Sequence, residues 1–108
     1  MTTLPYTFTQ SDLEFYSEIM KEHCILLYLG LEKHPLESQA YTHYLKWNDF
    51  INNGYAGNVP ILLEELKIFE TMILKRPLDK GWISDSFMTR ILEELQQFEL
   101  LLSGQIPT

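Results

Sequence analysis

Two histidines and several glutamates lie on or beside apolar helical stripes, where they could be directed into a protein core. A bundle that directs glutamate and histidine inward from several helices is the usual frame of a carboxylate di-iron or di-manganese site. Carboxylate together with imidazole suits iron, manganese or zinc, and no other cofactor is indicated. The candidate metal ligands are Glu22, His23, His43, Glu65 and Glu94.

The same residues have a simpler interpretation. Di-iron bundles carry a Glu-x-x-His spacing on two helices. Here Met20 and Ala40 stand three residues before His23 and His43. Histidines at the edge of an apolar stripe are more commonly hydrogen-bonded core residues, and boundary glutamates usually reach water. The sequence therefore leaves a metal site and a structural role open.

Catalytic chemistry finds little support. Cys24 follows His23 directly, and adjacent helical residues point about 100° apart, so His23 is a poor base for this thiol. Neither a phosphate loop, a nucleophile elbow nor a dinucleotide fingerprint is present. We therefore expect a non-enzymatic protein with no catalytic residues.

Aromatic residues in the connections and the N-terminal arm form a second group of candidates. One interpretation is that they cap the ends of the core. The other is that they form an exposed patch for a protein partner or a second copy of the chain. The tentative interface residues are Tyr6, Phe8, Tyr55 and Trp82.

Charge and composition exclude several classes of protein. Fifteen acidic against eight basic residues give a net charge of −7, which makes nucleic-acid binding unfavourable. A single cysteine excludes an internal disulfide and fits a reducing compartment. The first ten residues lack the pattern of a signal peptide, and the longest apolar run, residues 25–29, is far short of a membrane span. We expect a cytoplasmic protein without membrane contact.

Helical periodicity predicts the elements that must position these residues. Apolar residues recur at spacings of three and four, and no segment shows the alternation typical of a strand. Residues 9–12 offer hydroxyl caps for the first helix, Asn58 and Ser84 are suitable N-caps, and Asn52-Asn53-Gly54 is suitable as a left-handed helix stop. We expect one domain over residues 1–108, an all-α antiparallel up-and-down four-helix bundle. Its helices are predicted at about 11–32, 35–53, 59–76 and 84–103.

The first predicted helix resembles that of an uncharacterised bacterial family of ferritin-like four-helix bundles, a domain of unknown function. The likeness is carried by residues 15–24, an aromatic pair followed by Ile-Met and then Glu-His with a small residue. The resemblance implies a four-helix fold and metal ligation through Glu22 and His23. In the fourth helix the family pattern is an Asp-His step followed by Arg-Glu. Residues 86–91 lack it, so an inherited site would be incomplete.

These observations rank three functional hypotheses. The leading one is a non-enzymatic helical protein–protein interaction module, with a protein partner or a homo-oligomer. The alternative is a ferritin-like metal-binding bundle whose site is degraded. A weaker alternative is an acidic inhibitor that mimics nucleic acid, although the acidic residues are spread evenly along the chain.

Overall fold

The computed structural model describes residues 8–75 and 83–104, which form four helices. The helices are α1 (Gln10–Gly30), α2 (Glu37–Asn52), α3 (Val59–Lys75) and α4 (Asp85–Leu102). Within these two ranges there is no strand, which confirms the all-α prediction. In the same two ranges, no helix is both long enough and apolar enough to cross a membrane.

The helix ends follow from local hydrogen bonds. Thr9 and Asp12 form a reciprocal capping box at the start of α1. Asn58 and Ser84 accept hydrogen bonds from backbone N–H groups in the first turns of α3 and α4. The predicted stop after α2 is confirmed at Gly54, whose φ of +72° favours glycine.

The start of α2 differs from the prediction. The sequence predicts a helix from about residue 35, which would place Pro35 in its first turn, but the helix begins at Glu37, and Leu36 provides no side-chain cap. The preceding turn is closed instead by His34, whose Nδ1 accepts from the Leu36 N–H at 3.0 Å. The Glu37 carboxylate accepts from the Lys33 N–H at 3.1 Å. These two bonds stabilise a turn ahead of the helix.

The apolar stripes of all four helices meet in one core. Trp47 is fully buried near its middle and packs against Phe50 and Phe98, with ring centroids 5.9 and 6.4 Å away. The largest other apolar side chains with almost no exposure are Met20, Leu27, Leu31, Leu66, Ile73, Met88, Ile91 and Leu95. Burial of such side chains stabilises a fold by about 1.5–3 kcal/mol each.

The helices pack as two close pairs, α1 with α2 and α3 with α4, and the pairs are joined along α1–α4 and α2–α3. Two contacts join α2 to α3: Lys46 binds the Glu65 carboxylate at 2.8 Å, and the His43 ring stacks on Phe69 at 4.8 Å. This packing is consistent with a four-helix bundle.

Not every apolar residue of α1 lies in the core. Phe15 and Leu26 belong to the apolar pattern of this segment, yet they are 60% and 48% exposed. The buried positions of α1 are Ser17, Met20, His23, Cys24 and Leu27, on one side of the helix. Apolar residues off that side therefore remain at the surface.

Candidate functional site

His23 lies at the centre of a cluster of ionisable groups in the core. It is one helical turn from Met20 and Leu27 on the buried side of α1, and only 3% of it is exposed. A charged or polar group buried this deeply needs partners, since leaving it without them costs several kcal/mol. Both ring nitrogens of His23 face carboxylates of other helices.

The first carboxylate is that of Glu70 on α3. Its Oε2 lies 3.3 Å from His23 Nδ1, and its side chain is fully buried. The contact is an ion pair when His23 is protonated, and it is not aligned as a hydrogen bond, since Nδ1 and both Glu70 oxygens have no hydrogen-bond partner among the described residues. Within the described ranges, His23 thus provides the charge that compensates this buried carboxylate.

The second carboxylate is that of Glu94 on α4. Its Oε1 forms a 3.1 Å hydrogen bond with His23 Nε2, and its side chain is 44% exposed. The three side chains form a row from the core to solvent, with Glu70 innermost and Glu94 outermost. We call these residues the His23 cluster.

The protonation of His23 follows from this geometry. Burial by itself would lower the pKa of His23, but the carboxylates of Glu70 and Glu94 outweigh it and raise that pKa. Burial also raises the pKa of Glu70, and His23 opposes that rise. A protonated His23 donates its Nε2–H to Glu94 and places its second N–H beside Glu70 without an aligned hydrogen bond.

Cys24 borders the cluster but is chemically inert in this setting. The thiol is fully buried, and burial raises the pKa of Cys24, with the nearby Glu70 carboxylate adding to the effect. A reactive cysteine needs a lowered pKa and access to solvent. Cys24 has neither.

The structure brings together two of the five predicted metal ligands, His23 and Glu94. Glu22 is exposed on the outer side of α1. Glu65 pairs with Lys46 at 2.8 Å. The ring of His43 stacks on Phe69. Burial is the larger cause that lowers the pKa of His43, and the charge of Lys46 is the second.

The contacts of His23 bear on the predicted metal site. A metal-binding histidine offers a nitrogen lone pair, and its other nitrogen is held by a second partner. In the His23 cluster both nitrogens already face carboxylate oxygens at 3.1 and 3.3 Å. Across residues 8–75 and 83–104, no group of three His, Cys, Asp or Glu residues is placed to hold a metal ion.

The cluster also lacks the parts of a nucleophilic site. A buried carboxylate that orients a histidine occurs in hydrolase triads, where the second ring nitrogen activates a hydroxyl or thiol. Here that second position is occupied by Glu94, which only accepts hydrogen bonds when it is ionised. The arrangement orients and neutralises buried charge, and it activates no nucleophile.

Comparisons with known proteins find no match. No protein-family model matches the chain, and neither a curated protein nor a solved structure does. The similarity of residues 15–24 to ferritin-like bundles stays a resemblance of sequence pattern.

Two of the predicted interface residues pack against the core. Phe8 stacks on Phe98 with ring centroids 6.1 Å apart, and Tyr55 meets Phe50 edge-on at 5.8 Å. Both are half-buried, as in the core-capping interpretation. Tyr6 and Trp82 lie outside the described residues.

A different apolar surface is exposed, on α1 and α2. Its centre is a groove of about 280 Å³. Leu29 and Tyr41 at this groove are 63% and 46% exposed, and Leu45, one turn after Tyr41, is 41% exposed. The rings of Tyr28 and Tyr41 lie 5.3 Å apart, and those of Tyr41 and Tyr44 lie 6.0 Å apart. We call this surface the α1–α2 face: Ile25, Tyr28, Leu29, Tyr41, Tyr44 and Leu45.

Both features, the buried Glu70 and the exposed Leu29, have signals in the sequence. Glu70 lies four residues after Leu66 and three before Ile73, so it is on the apolar stripe itself. Leu29 falls two residues after the buried Leu27, which places it off the core side of the same helix. Glu70 is a charged residue on an apolar stripe, and Leu29 is an apolar residue off the core side. Both depart from the amphipathic pattern of their helices.

Proposed function

We propose that this protein is a non-enzymatic interaction module that binds another protein through the α1–α2 face. The observation that carries the proposal is the convergence of exposed leucine and tyrosine side chains from two helices around one groove. Clustered exposed apolar residues mark interaction sites, whereas single ones are ordinary. Tyrosine is enriched in protein interfaces because it combines a large apolar ring with a polar end.

The chemistry of the core supports a binding role over a catalytic one. The His23 cluster has no nucleophile, and the thiol of Cys24 is buried with a raised pKa. These groups stabilise the interior, which leaves the surface to carry the function. The exposed face and the inert core thus point to the same class of protein.

Site-specific photocrosslinking tests this proposal. A photoreactive amino acid replaces Tyr41 on the α1–α2 face, and in a control chain it replaces Ile68 on α3, which is 62% exposed. In cells that produce the protein, we expect a discrete covalent adduct from position 41 and none from position 68. Equal adducts at both positions, or none at position 41, would overturn the proposal.

A metal-binding function receives less support. Its one favourable observation is that His23 and Glu94 meet. Elemental analysis of the purified, untagged chain is the direct test. A stoichiometric amount of iron, manganese or zinc that is lost in His23→Ala would make metal binding the better hypothesis.

A nucleic-acid mimic receives the least support, because several acidic side chains are paired with lysines. Glu18, Glu65 and Glu99 are paired in this way on three different helices. Mimicry of a phosphate backbone would need unpaired negative charge along one surface.

We also propose that the helices run alternately up and down. Tyr16 on α1 stacks on Phe98 of α4 at 5.2 Å, whereas the later His23 meets the earlier Glu94. Short connections favour the same order.

Spin labels at Ser11 and Ser103, in a Cys24→Ser background, should therefore be close together. If α1 and α4 were parallel, the 18-residue length of α4 would separate them by about 27 Å.

A further inference from the structure

We infer that the partner presents a basic amphipathic helix to the α1–α2 face. Such a segment carries leucine-like side chains on one side and lysine or arginine at the flanking positions. The inference rests on the proposed function and specifies the chemistry of its partner.

The shape suits a helix. The α1–α2 face is a groove between two packed helices with apolar walls from both. Amphipathic helices bind in apolar grooves of this type with anchors spaced by one helical turn. Leu29 and Tyr41, the most exposed of the groove-lining side chains on each helix, provide apolar contacts on both walls.

Negative charge borders the face. Glu22 lies one turn before Ile25 on α1, Glu37 lies one turn before Tyr41, and Asp49 lies one turn after Leu45. Residues three or four apart on a helix are surface neighbours, so these carboxylates flank the apolar groove. Lysines or arginines beside the apolar side of a partner helix would meet them.

Two lysines close to this border in the chain are paired with carboxylates outside it. Lys21 pairs with Glu18 at 3.7 Å, and Lys46 reaches across to Glu65 at 2.8 Å. Together with the net charge of −7, this leaves the surroundings of the face acidic. Complementary charge steers association and selects among partners.

The tyrosine rings add a second feature that favours cations. Tyr28, Tyr41 and Tyr44 form a chain of neighbouring rings. A lysine or arginine over the face of such a ring gains a cation–π attraction. The apolar anchors of a partner helix would therefore contact the groove, and its flanking cations would contact the tyrosine rings and the carboxylates.

Charge disfavours the other two occupants. A second copy would bring its own net charge of −7 and its own acidic border to the same contact. A membrane surface is itself anionic and would be repelled by the same carboxylates. A basic protein segment avoids both conflicts.

The probe is a fluorescent 18-residue peptide of leucine and lysine with helical periodicity, titrated with the full chain. The comparison peptide has the same composition in scrambled order. We expect saturable one-to-one binding of the periodic peptide, measured by anisotropy, and at least tenfold weaker binding of the scrambled one. Equal binding of the two peptides would show attraction by net charge alone and overturn the inference.

Matched variants locate the contact. Leu29→Gln and Ile68→Gln replace side chains that are 63% and 62% exposed, without changing charge. We expect Leu29→Gln to weaken peptide binding about tenfold and Ile68→Gln to leave it unchanged. The double variant Glu22→Gln/Asp49→Asn should weaken binding and reduce its dependence on salt. Equal loss in Leu29→Gln and Ile68→Gln would overturn the inference, and circular dichroism verifies that each variant is folded.

The mass of the chain in solution separates this inference from the proposed function. If the peptide fails to bind but the mass rises with concentration, and Leu29→Gln restores the monomer, the face joins two copies. That result overturns the basic partner and keeps the interaction module. Binding to anionic phospholipid vesicles that Leu29→Gln abolishes would overturn both in favour of a membrane surface. No peptide binding, a strict monomer and no crosslink at position 41 would also overturn both.

Discussion

At the scale of single residues, the unusual feature is a glutamate with no exposed surface. Glu70 lies in the core beside His23, whose Nδ1 is 3.3 Å away and whose Nε2 meets the partly exposed carboxylate of Glu94. A protonated His23 compensates the charge of the Glu70 carboxylate. Buried ion pairs of this type often add little net stability, but loss of one partner leaves an uncompensated charge. The effects of substitution should therefore depend strongly on which partner is removed.

His23→Ala should lower the free energy of unfolding by about 3–5 kcal/mol, because it leaves the Glu70 carboxylate without its cation. The double variant His23→Leu/Glu70→Leu removes both buried charges and retains apolar volume. We expect it to lie within about 1 kcal/mol of the original protein or above it. Urea unfolding measures both. A double variant as unstable as His23→Ala would show that packing, and not charge, causes the loss.

The pH dependence of stability follows from the raised pKa of His23. The folded protein holds this proton to higher pH than the unfolded chain, whose histidine titrates near 6.5. The stability that this proton adds to the folded state is fully present below about pH 6.5. It is lost as pH rises through the folded-state pKa of His23. The raised pKa of Glu70 acts in the same direction.

We therefore expect the original protein to lose stability relative to the variant His23→Leu/Glu70→Leu as pH rises. The compared quantity is the free energy of unfolding. Urea unfolding from about pH 6 to pH 9 measures this difference. Both proteins keep Cys24 and the tyrosines, so the part of their titration that does not depend on Glu70 cancels in the difference. A difference that is constant, or that shifts in the original protein's favour, would contradict a protonated His23.

At the scale of elements, the helix ends are defined by short-range hydrogen bonds. Ser84 accepts from the Phe87 N–H at 3.1 Å, and Thr9 and Asp12 bond reciprocally. These contacts join residues three apart in the chain, so they form whenever the helix forms. Their energetic contributions can be measured separately from the core.

Ser84→Ala should lower the free energy of unfolding by about 1 kcal/mol, because the first turn of α4 loses its side-chain acceptor. Ser86→Ala is the matched control, since Ser86 is exposed one residue inside the same helix. Alanine is a good helix former, so this control should change stability by less than about 0.5 kcal/mol. Equal losses would show that the cap of α4 is not specific to Ser84.

Gly54→Ala should cost about 1–2 kcal/mol through backbone strain alone. Gly54 has φ +72°, and an added Cβ would meet no atom within 4 Å. Asparagine tolerates positive φ better than alanine, so Gly54→Asn should recover part of the loss. Thermal unfolding of the two variants measures the effect. Equal destabilisation by both would indicate a cause other than φ.

At the scale of the whole molecule, one core joins the four helices while the α1–α2 face stays apolar and exposed. Cys24 lies in that core with no exposed surface. The thiol can react with a reagent only after the core opens, so it reports on the cooperativity of the bundle. We expect the core around Cys24 to open together with the rest of the core.

Alkylation of Cys24 in native buffer should follow the unfolding equilibrium. Ser84→Ala, which is remote from Cys24 in the chain, should accelerate it about fivefold for a loss of about 1 kcal/mol. The Leu29→Gln variant changes only the surface and should leave the rate nearly unchanged. An alkylation rate that is insensitive to Ser84→Ala would show that α1 opens separately from α4.

Much of the architecture could be predicted from the sequence because its causes are local. Helical periodicity, Thr9 and Ser84 as caps, and Gly54 as a stop depend on residues within one or two turns of each other. The start of α2 was the exception. There the turn bonds of His34 and Glu37 delay a helix that Pro35 alone suggested.

The sequence by itself predicted four helices, an excess of acidic residues and a position for His23 on or beside an apolar stripe. Only the tertiary structure decided that His23 is bonded to Glu94, 71 residues away, and paired with Glu70 rather than grouped with His43 and Glu65. It also decided that Leu29 and Tyr41 form one exposed face while Phe8 and Tyr55 pack inward. The physical reason is the range of the interactions. Periodicity and capping act within a helix, whereas the partner of a buried charge and the uncovered side of a helix depend on how separate helices pack.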